Sequence, residues 1–281
     1  MNAIIQHNFT SGLGDSIVAV HEYIETASNL ISNGYRVNLK LNLSKNQYFH
    51  DNDFFKVFNR DLYSIFDNIE LLSTPIDNEV YNNYNRVYTL ANPKPGMHWW
   101  DLFINNGTNI DTSLLSLYPQ EFQNTPKKID IFSADIIDGY KKNISNISDE
   151  VEYESIYVRT LDLHDKIPSG GIDKVRDILE IGKPTFICSN SYNVKKEIKD
   201  LGHTNSFLFD IPEEQKYGNH FYNRKLDFSD SDVLLERTKF TIYDMIALSE
   251  SSKINFISDW GRTSNFLILA KINKTTINTI I

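Results

Sequence analysis

Residues 3–41, AIIQHNFTSGLGDSIVAVHEYIETASNLISNGYRVNLKL, carry the clearest fold signal in the 281-residue sequence. The segment begins with a short apolar run typical of a buried strand and continues through a glycine-containing loop. Apolar residues then recur at alternating steps of three and four, which predicts a helix with one apolar face. Asn33-Gly34 ends this helix, and the alternating run Arg36–Leu41 predicts a second strand. Such a strand–loop–helix–strand unit implies a parallel sheet.

A second series of alternating elements follows beyond the middle of the chain. Strands are predicted at 153–158, 186–188, 206–209 and 254–257, a last strand or tail at 276–281, and helices at 172–179, 194–201, 241–248 and 263–271. Strands that alternate with helices indicate an α/β fold in each half. The polar run 141–150 is the candidate linker, so we expect α/β domains over 1–150 and 151–281. The length agrees with two domains of about 150 residues each.

Charge and composition exclude several classes of partner. The chain has 28 Lys and Arg against 37 Asp and Glu, a net charge of −9. This balance argues against binding nucleic acid, or an anionic membrane surface, through a general basic surface. The longest clean apolar run, 266–270, is far shorter than the roughly 20 residues of a transmembrane helix. The first residues do not form a secretory signal, so the expected compartment is the cytoplasm.

Neither cysteine nor histidine indicates a metal site. The single cysteine, Cys188, excludes an intrachain disulfide and a multi-cysteine zinc site. His7 and His98 have no second ligand at a spacing typical of metal binding, so no metal is predicted.

The loop after the first predicted strand has residues suited to binding an anion. Gly12 and Gly14 allow backbone N–H groups to approach a phosphate at the positive N-terminus of the next helix. The third glycine of the dinucleotide-binding fingerprint is absent, because position 17 is Ile. A tight turn without a ligand would have the same sequence, and Asp15 would then be a first-turn acid favoured by the helix dipole.

Arg159 ends the strand predicted at 153–158. In open α/β sheets, ligands bind at the carboxyl ends of the strands. A guanidinium there can hold a diphosphate bidentately and stabilise the charge of a leaving group. A structural ion pair with Asp162 or Asp165 explains the same residue equally well.

A third polar segment follows the strand predicted at 254–257 and contains Asp259, Arg262, Thr263, Ser264 and Asn265. The last three open a predicted helix, so their hydroxyl and backbone donors point outward together. Ordinary N-capping by Thr or Ser is an equally good explanation. Asp244, in the preceding helix, is by itself consistent with a solvated face.

An aromatic cluster lies in the N-terminal half. Trp99 and Trp100, beside His98 and Asp101, could stack on a sugar ring. Burial in a core or an interface is the more common fate of paired aromatic residues.

The order of these features resembles the GT-B glycosyltransferases of the GDP-fucose-using superfamily, which includes nodulation and protein O-fucosyltransferases. In that superfamily an arginine in a His-x-Arg-type motif binds the donor diphosphate, and Arg159 matches this arginine. An Asp-x-x-x-Leu-Ser helix and a Ser/Thr-Ser-x-Phe segment complete the nucleotide pocket. Their counterparts in this chain are Asp244, Ser249, Thr263, Ser264 and Phe266.

The chain departs from that pattern at three places. Tyr157 stands where the motif has histidine, and Thr160 stands where many members have a second arginine. The first loop reads Gly12-Leu13-Gly14-Asp15 where many members have Gly-x-Gly-Asn. In this loop the chain is similar to the heptosyltransferases, whose Gly-Asp pair supplies a base.

The resemblance implies two Rossmann-like domains facing across a cleft, with the acceptor on the N-terminal side and the nucleotide sugar on the C-terminal side. It implies inverting, metal-independent transfer of a sugar, with fucose as a candidate, from a nucleoside-diphosphate donor to a hydroxyl of a glycan or another acceptor. No cofactor is implied beyond this co-substrate. Asp15 would be the base and Arg159 would stabilise the leaving group. Donor-binding candidates are Gly12, Gly14, Asn190, Asp244, Asp259, Arg262, Thr263, Ser264 and Asn265, and acceptor-binding candidates are His98, Trp99 and Trp100.

Two other functions compete with this one. A non-catalytic nucleotide- or sugar-binding protein could have the same fold, because fold does not determine function. The second alternative is a sugar epimerase-like or methyl-transferring Rossmann protein. An acidic residue at the end of the second strand, where it would bind a ribose, would favour this alternative. Residues 39–42, Leu-Lys-Leu-Asn, contain none, which weakens this second alternative.

Overall fold

The structure is a computed structural model of the chain, and it forms two compact units, Met1–Ala134 and Asp135–Ile281. The residues that the structure describes are 2–9, 12–44, 46, 48–74, 85–86, 109–111, 130–145, 152–160, 167, 170–209, 231–258 and 265–280. Each unit contains a five-stranded parallel sheet within these residues. The predicted α/β fold of both halves is therefore confirmed.

The N-terminal unit is built around the strand–loop–helix–strand segment. Its elements are β1 (Asn2–Asn8), α1 (Leu13–Ser32), β2 (Arg36–Asn42), α2 (Phe54–Val57), β3 (Asn68–Leu72), β4 (Asn85–Arg86) and β5 (Asn109–Asp111), with 3₁₀ turns at Asp51–Asp53 and Arg60–Ile65. The strand order is β3-β2-β1-β5-β4, and Ile5 of β1 is in register with Leu39 of β2. The predicted apolar face of α1 is buried at Ile17, Val20 and Ala27, whereas Ile31 in the last turn of the helix is exposed.

The C-terminal unit repeats this architecture with its own strand order, β10-β9-β6-β7-β8. Its elements are α3 (Ala134–Ile144), β6 (Glu154–Arg159), α4 (Gly171–Glu180), β7 (Thr185–Ser189), α5 (Tyr192–Lys199), β8 (Ser206–Phe207), α6 (Ser231–Glu250), β9 (Lys253–Ser258), α7 (Ile268–Ile272) and β10 (Thr276–Ile280). Val158 of β6 is in register with Ser189 of β7, and Arg159 with Ser258 of β9. The carboxyl ends of these three strands are thus level.

The two faces of this sheet carry different cores. Residues of β6, β7 and β9 that share one face pack with α4 and α5 in a cluster of Ile156, Val158, Val175, Leu179, Ile187, Val194, Ile198 and Ile257. Because side chains alternate along a strand, Tyr157 and Cys188 lie on the opposite face. On that face Tyr157 stacks against Phe256, with ring centroids 5.3 Å apart.

The predicted linker is wrong in its first half, and the boundary of the units lies earlier than residue 150. Residues 134–144 form α3, which belongs to the C-terminal unit apart from its first residue. Tyr140 of this helix packs near Tyr243 and Phe209, and its hydroxyl donates a hydrogen bond to Glu250. The apolar spacing of Ile136, Tyr140 and Ile144 was the helical signal, which the polar residues between them concealed.

Candidate functional site

The first loop is organised around the N-terminus of α1. Gly12 occupies the N-cap position in an extended conformation, and its N–H donates to Oδ2 of Asp15 at 3.1 Å. The Ser16 N–H donates to the Gly12 carbonyl at 3.0 Å, which is the first turn of the helix. Gly14 therefore lies inside the helix rather than in the loop before it. The Asp15 carboxylate holds the N-cap backbone as the acid of a capping box does. Its role as a base stays a prediction.

Two asparagines join the carboxyl ends of β1 and β2 in the N-terminal unit. Nδ2 of Asn42 donates to Oδ1 of Asn8 at 2.8 Å, and Oδ1 of Asn42 accepts the Ser44 N–H at 3.0 Å. No sequence pattern predicts this pair, because nothing along the chain links positions 34 residues apart. The pair fixes the polar edge of the sheet beside the strand that leads into the first loop.

His21 is a buried histidine on α1 that no sequence motif indicates. It is 6% exposed, and its Nε2 has no hydrogen-bond partner within the described residues. Burial lowers the pKa of His21 from 6.5 to about 4, because the charged imidazolium is poorly solvated there. The side chain is therefore neutral at neutral pH.

We expect His21 to make the protein sensitive to mild acid. Because its pKa is lower in the folded state, stability is fully present above about pH 6.5 and is lost progressively as the pH falls toward 4. The loss would reach about 3 kcal/mol at the lower limit. Denaturant unfolding at several pH values measures it. His21→Leu should flatten the decline between pH 6.5 and 4. Equal slopes for wild type and His21→Leu would contradict the assignment.

Arg159 is the last residue of β6 and is half-buried. Its register partner on β9 is Ser258, also a strand-terminal residue. By alternation its side chain leaves the sheet on the same face as Tyr157. Asp162 and Asp165, the predicted partners of a structural ion pair, lie outside the described residues. Donor binding by Arg159 stays a prediction.

Asn190 follows β7 directly and is hydrogen-bonded to Thr160. Oδ1 of Asn190 accepts the Thr160 N–H at 2.9 Å and the Thr160 hydroxyl at 3.3 Å. In return, Nδ2 of Asn190 donates to the Thr160 carbonyl at 3.3 Å. We call this arrangement the Thr160–Asn190 clamp. It joins β6 and β7 just beyond the last backbone pair of their ladder, Val158 with Ser189.

Asp244 lies in a buried ion pair, and the alternative that placed it on a solvated face is wrong. The residue is 2% exposed and its Oδ2 accepts a hydrogen bond from Nζ of Lys195, which is 1% exposed. Burial raises the pKa of Asp244, while the Lys195 ammonium opposes this shift. Burial and the nearby Asp244 charge raise the pKa of the Cys188 thiol, so this cysteine is a neutral core residue. Donor binding by Asp244 stays a prediction.

Tyr157 and Ser249 serve the packing of the C-terminal unit. Tyr157 is fully buried between Phe256 and Phe266, with ring centroids 5.3 and 5.2 Å away. Tyr157, which stands where the family motif has histidine, is thus an aromatic residue of the core. The Ser249 hydroxyl donates to the Ile246 carbonyl at 2.8 Å, which stabilises the last turn of α6.

The remaining predicted site residues lie partly or wholly outside the described residues. Nothing is described for His98, Trp99, Trp100, Asp259, Arg262, Thr263 and Ser264. The backbone of Asn265 begins a 3₁₀ turn, Asn265–Leu267, which leads into α7. The helix predicted at 263–271 is therefore a short turn followed by a short helix in its described part.

Neither a metal centre nor a membrane span is found in the described part of the chain. No group of three or more His, Cys, Asp and Glu side chains in it could hold a metal ion. Among its helices, none combines the length and the apolar character that crossing a bilayer requires.

Comparison with known proteins shows similarity in structure only. No protein-family model matches the chain, and no curated protein matches it in sequence. A crystal structure of NodZ alpha-1,6-fucosyltransferase soaked with GDP-fucose is 13% identical, with 99% of this chain and 94% of that chain covered and a TM-score of 0.57. A structure of NodZ from Bradyrhizobium is also 13% identical, with 96% and 92% covered and a TM-score of 0.56.

A weaker likeness links the chain to a heptosyltransferase. E. coli heptosyltransferase WaaC with ADP-2-deoxy-2-fluoro heptose is 10% identical, with 99% of this chain and 88% of that chain covered and a TM-score of 0.41.

The NodZ structures are similar along nearly the whole chain, so the fold is the α/β GT-B fold of these glycosyltransferases. This confirms the predicted fold class.

Proposed function

We propose that this protein is a glycosyltransferase that moves a sugar from a nucleoside-diphosphate donor to an acceptor hydroxyl. The observation that carries the proposal is the likeness, over 99% of the chain, to a fucosyltransferase crystal soaked with GDP-fucose. GDP-fucose is accordingly the first donor to test. The transfer would invert the anomeric configuration, and the proposed compartment is the cytoplasm.

The proposal places the donor diphosphate at the carboxyl ends of β6, β7 and β9. These ends are level in the sheet, and the carboxyl edge is where open α/β sheets bind ligands. Arg159 ends the central strand of the three, where a guanidinium can hold two phosphate oxygens and stabilise the leaving diphosphate. Because this cation can neutralise the leaving group, we propose that no divalent metal is required. Asp259, Arg262, Thr263 and Ser264 complete the proposed donor set.

The proposal assigns the acceptor to the N-terminal unit. Asp15 is half-buried at the start of α1, where its carboxylate would take the proton of the acceptor hydroxyl. His98, Trp99 and Trp100 are the proposed acceptor-binding residues, because tryptophan rings suit the apolar face of a sugar.

A non-catalytic nucleotide-sugar-binding protein is the second candidate function. The bond from the Gly12 N–H to Asp15 favours it, because this bond gives Asp15 a structural role that needs no catalysis. Such a protein would bind the donor without transferring the sugar. Product analysis with GDP-fucose and a panel of glycan acceptors separates the two functions.

Arg159→Ala tests the proposed donor site. We expect GDP to bind about 10- to 150-fold more weakly to this variant, the range for loss of a hydrogen bond to a charged group. Isothermal titration calorimetry with GDP, and thermal shifts with GDP, ADP, UDP and GDP-fucose, measure the effect. Arg159→Lys should recover part of the affinity, because lysine keeps the charge but not the planar fork.

A matched control is available on α4. Arg176 is an exposed arginine paired with Asp173 at 3.1 Å, and Arg176→Ala removes the same side chain from a surface site. This variant should bind GDP as wild type does. Unchanged GDP affinity in Arg159→Ala would remove Arg159 from the donor site.

A further inference from the structure

We propose that Asn190 acts on the donor through Arg159, as a positioning residue, rather than by contacting the donor itself. This inference rests on the proposed function. It concerns the Thr160–Asn190 clamp, which lies at the carboxyl edge of the sheet and adjoins Arg159 in sequence.

The clamp uses most of the hydrogen-bonding capacity of the Asn190 side chain. An asparagine amide has an oxygen with two lone pairs and a nitrogen with two N–H groups. Thr160 takes both lone pairs through its N–H and hydroxyl, and its carbonyl takes one N–H. At most one N–H of Asn190 is left over, so the amide is committed to Thr160 rather than to a diphosphate.

The clamp also fixes the main chain next to Arg159. Thr160 is 3% exposed, so its backbone N–H and carbonyl need partners, and the Asn190 amide supplies both. The backbone ladder of β6 and β7 stops at Val158 and Ser189, and the clamp continues the connection between the two strands beyond Arg159. A fixed backbone limits the directions in which the arginine can extend.

The turn that carries Asn190 is itself held by local hydrogen bonds. The Ser191 N–H donates to the Ser189 hydroxyl at 3.1 Å, and the Ser191 hydroxyl accepts the Val194 N–H at 3.3 Å as the N-cap of α5. Ser189 and Ser191 are both buried. Asn190 is thus a rigid support, and a rigid support lowers the ordering cost of the side chain that meets the ligand.

Asn205 provides a matched control at the opposite edge of the same sheet. Its Nδ2 donates to the Gly182 carbonyl at 2.7 Å, and its own carbonyl accepts the Thr185 N–H at the amino end of β7. Asn205→Ala therefore removes the same kind of side-chain-to-backbone bond from the edge that carries no proposed ligand.

The test is a double-mutant cycle on GDP binding, measured by calorimetry on the full chain. We expect Asn190→Ala to weaken GDP binding roughly three- to tenfold, the effect of ordering one side chain on binding, and Asn205→Ala to leave it unchanged. In the Arg159→Ala background, Asn190→Ala should have no further effect, because its action passes through Arg159. Faster hydrogen exchange of the Thr160 amide in Asn190→Ala should accompany the loss and report the opened clamp.

Three results would overturn the inference. Equal GDP affinities for Asn190→Ala and Asn205→Ala would remove the positioning role and leave the proposed function standing. Additive losses in the double variant would show that Asn190 contacts the donor directly. If wild-type protein bound neither GDP, ADP, UDP nor GDP-fucose, the proposed function would fail, and the inference would fail with it.

Discussion

Replacing Lys195 by methionine is expected to lower the free energy of unfolding by about 3–5 kcal/mol, because it leaves the Asp244 carboxylate buried without its cation. The two side chains are only 2% and 3% exposed, so water cannot replace the lost partner. Methionine keeps an unbranched side chain of similar length, so the loss of packing is small. Denaturant unfolding followed by circular dichroism measures the change.

A surface ion pair on α6, the helix that carries Asp244, gives the matched control. Lys239 and Glu236 of α6 pair at 2.5 Å but are 26% and 49% exposed. Lys239→Met should change the free energy of unfolding by no more than about 1 kcal/mol, the upper value for exposed pairs. If Lys195→Met cost no more than Lys239→Met, the buried pair would not hold α5 and α6 together.

The difference in the free energy of unfolding between wild type and Lys195→Met should become smaller as the pH is lowered. Burial already raises the pKa of Asp244, and removal of Lys195 removes the charge that opposes this shift. In the variant, the folded state therefore keeps a proton on Asp244 at pH values where the unfolded chain has lost it. Its stability falls as the pH rises above the ordinary pKa of Asp, about 3.9. Unfolding at pH 5 and pH 8 tests this direction.

The double variant Lys195→Met/Asp244→Leu separates a structural role of Asp244 from donor binding. Removing both charges of a buried pair leaves no unpaired ion, so most of the lost stability should return. A purely structural Asp244 predicts wild-type GDP affinity in this folded variant. Weak GDP binding at restored stability would instead support Asp244 as a donor-binding residue.

The sequence predicted the elements whose signals are local. The strand at 3–5, the helix after it and the strand at 36–41 correspond to β1, α1 and β2, because apolar periodicity and the Asn33-Gly34 stop are contained in the segment itself. The end of β6 at Arg159 was also predicted from a local signal, because an apolar run is followed there by polar residues. These signals were sufficient for the fold class and for the placement of Arg159 at the carboxyl end of its strand.

The contacts that the sequence did not predict join residues that lie far apart along the chain. From its position in a predicted helix, Asp244 could lie on a face exposed to solvent. In the structure, however, residues 241–249 of α6 are buried on all sides of the helix. Lys195 is buried beside its exposed neighbour Lys196, and its partner Asp244 lies 49 residues away. Asn190 likewise depends on Thr160, 30 residues earlier. No pattern within one segment contains these contacts.

Asp15→Asn is expected to lower turnover by about 10²–10⁴-fold if Asp15 is the base, because an amide cannot accept the acceptor's proton. Donor affinity should stay nearly intact, since the proton moves only during transfer. The structure makes asparagine the right replacement. Its amide oxygen can still accept the Gly12 N–H that Oδ2 of Asp15 accepts at 3.1 Å, so the start of α1 is retained.

Asp15→Ala and Asp173→Asn complete the experiment. Asp15→Ala should reduce turnover similarly and also cost about 1 kcal/mol of stability, because it removes the bond to the N-cap as well. Asp173 lies in the first turn of α4, as Asp15 does in α1, and is exposed there. Asp173→Asn is thus the same chemical change at the same helical position, and it should leave turnover unaltered. If the turnover of Asp15→Asn were within a few-fold of that of wild type, Asp15 would only stabilise the N-terminus of α1. His98 and Asp101 would then be the next candidates for the base.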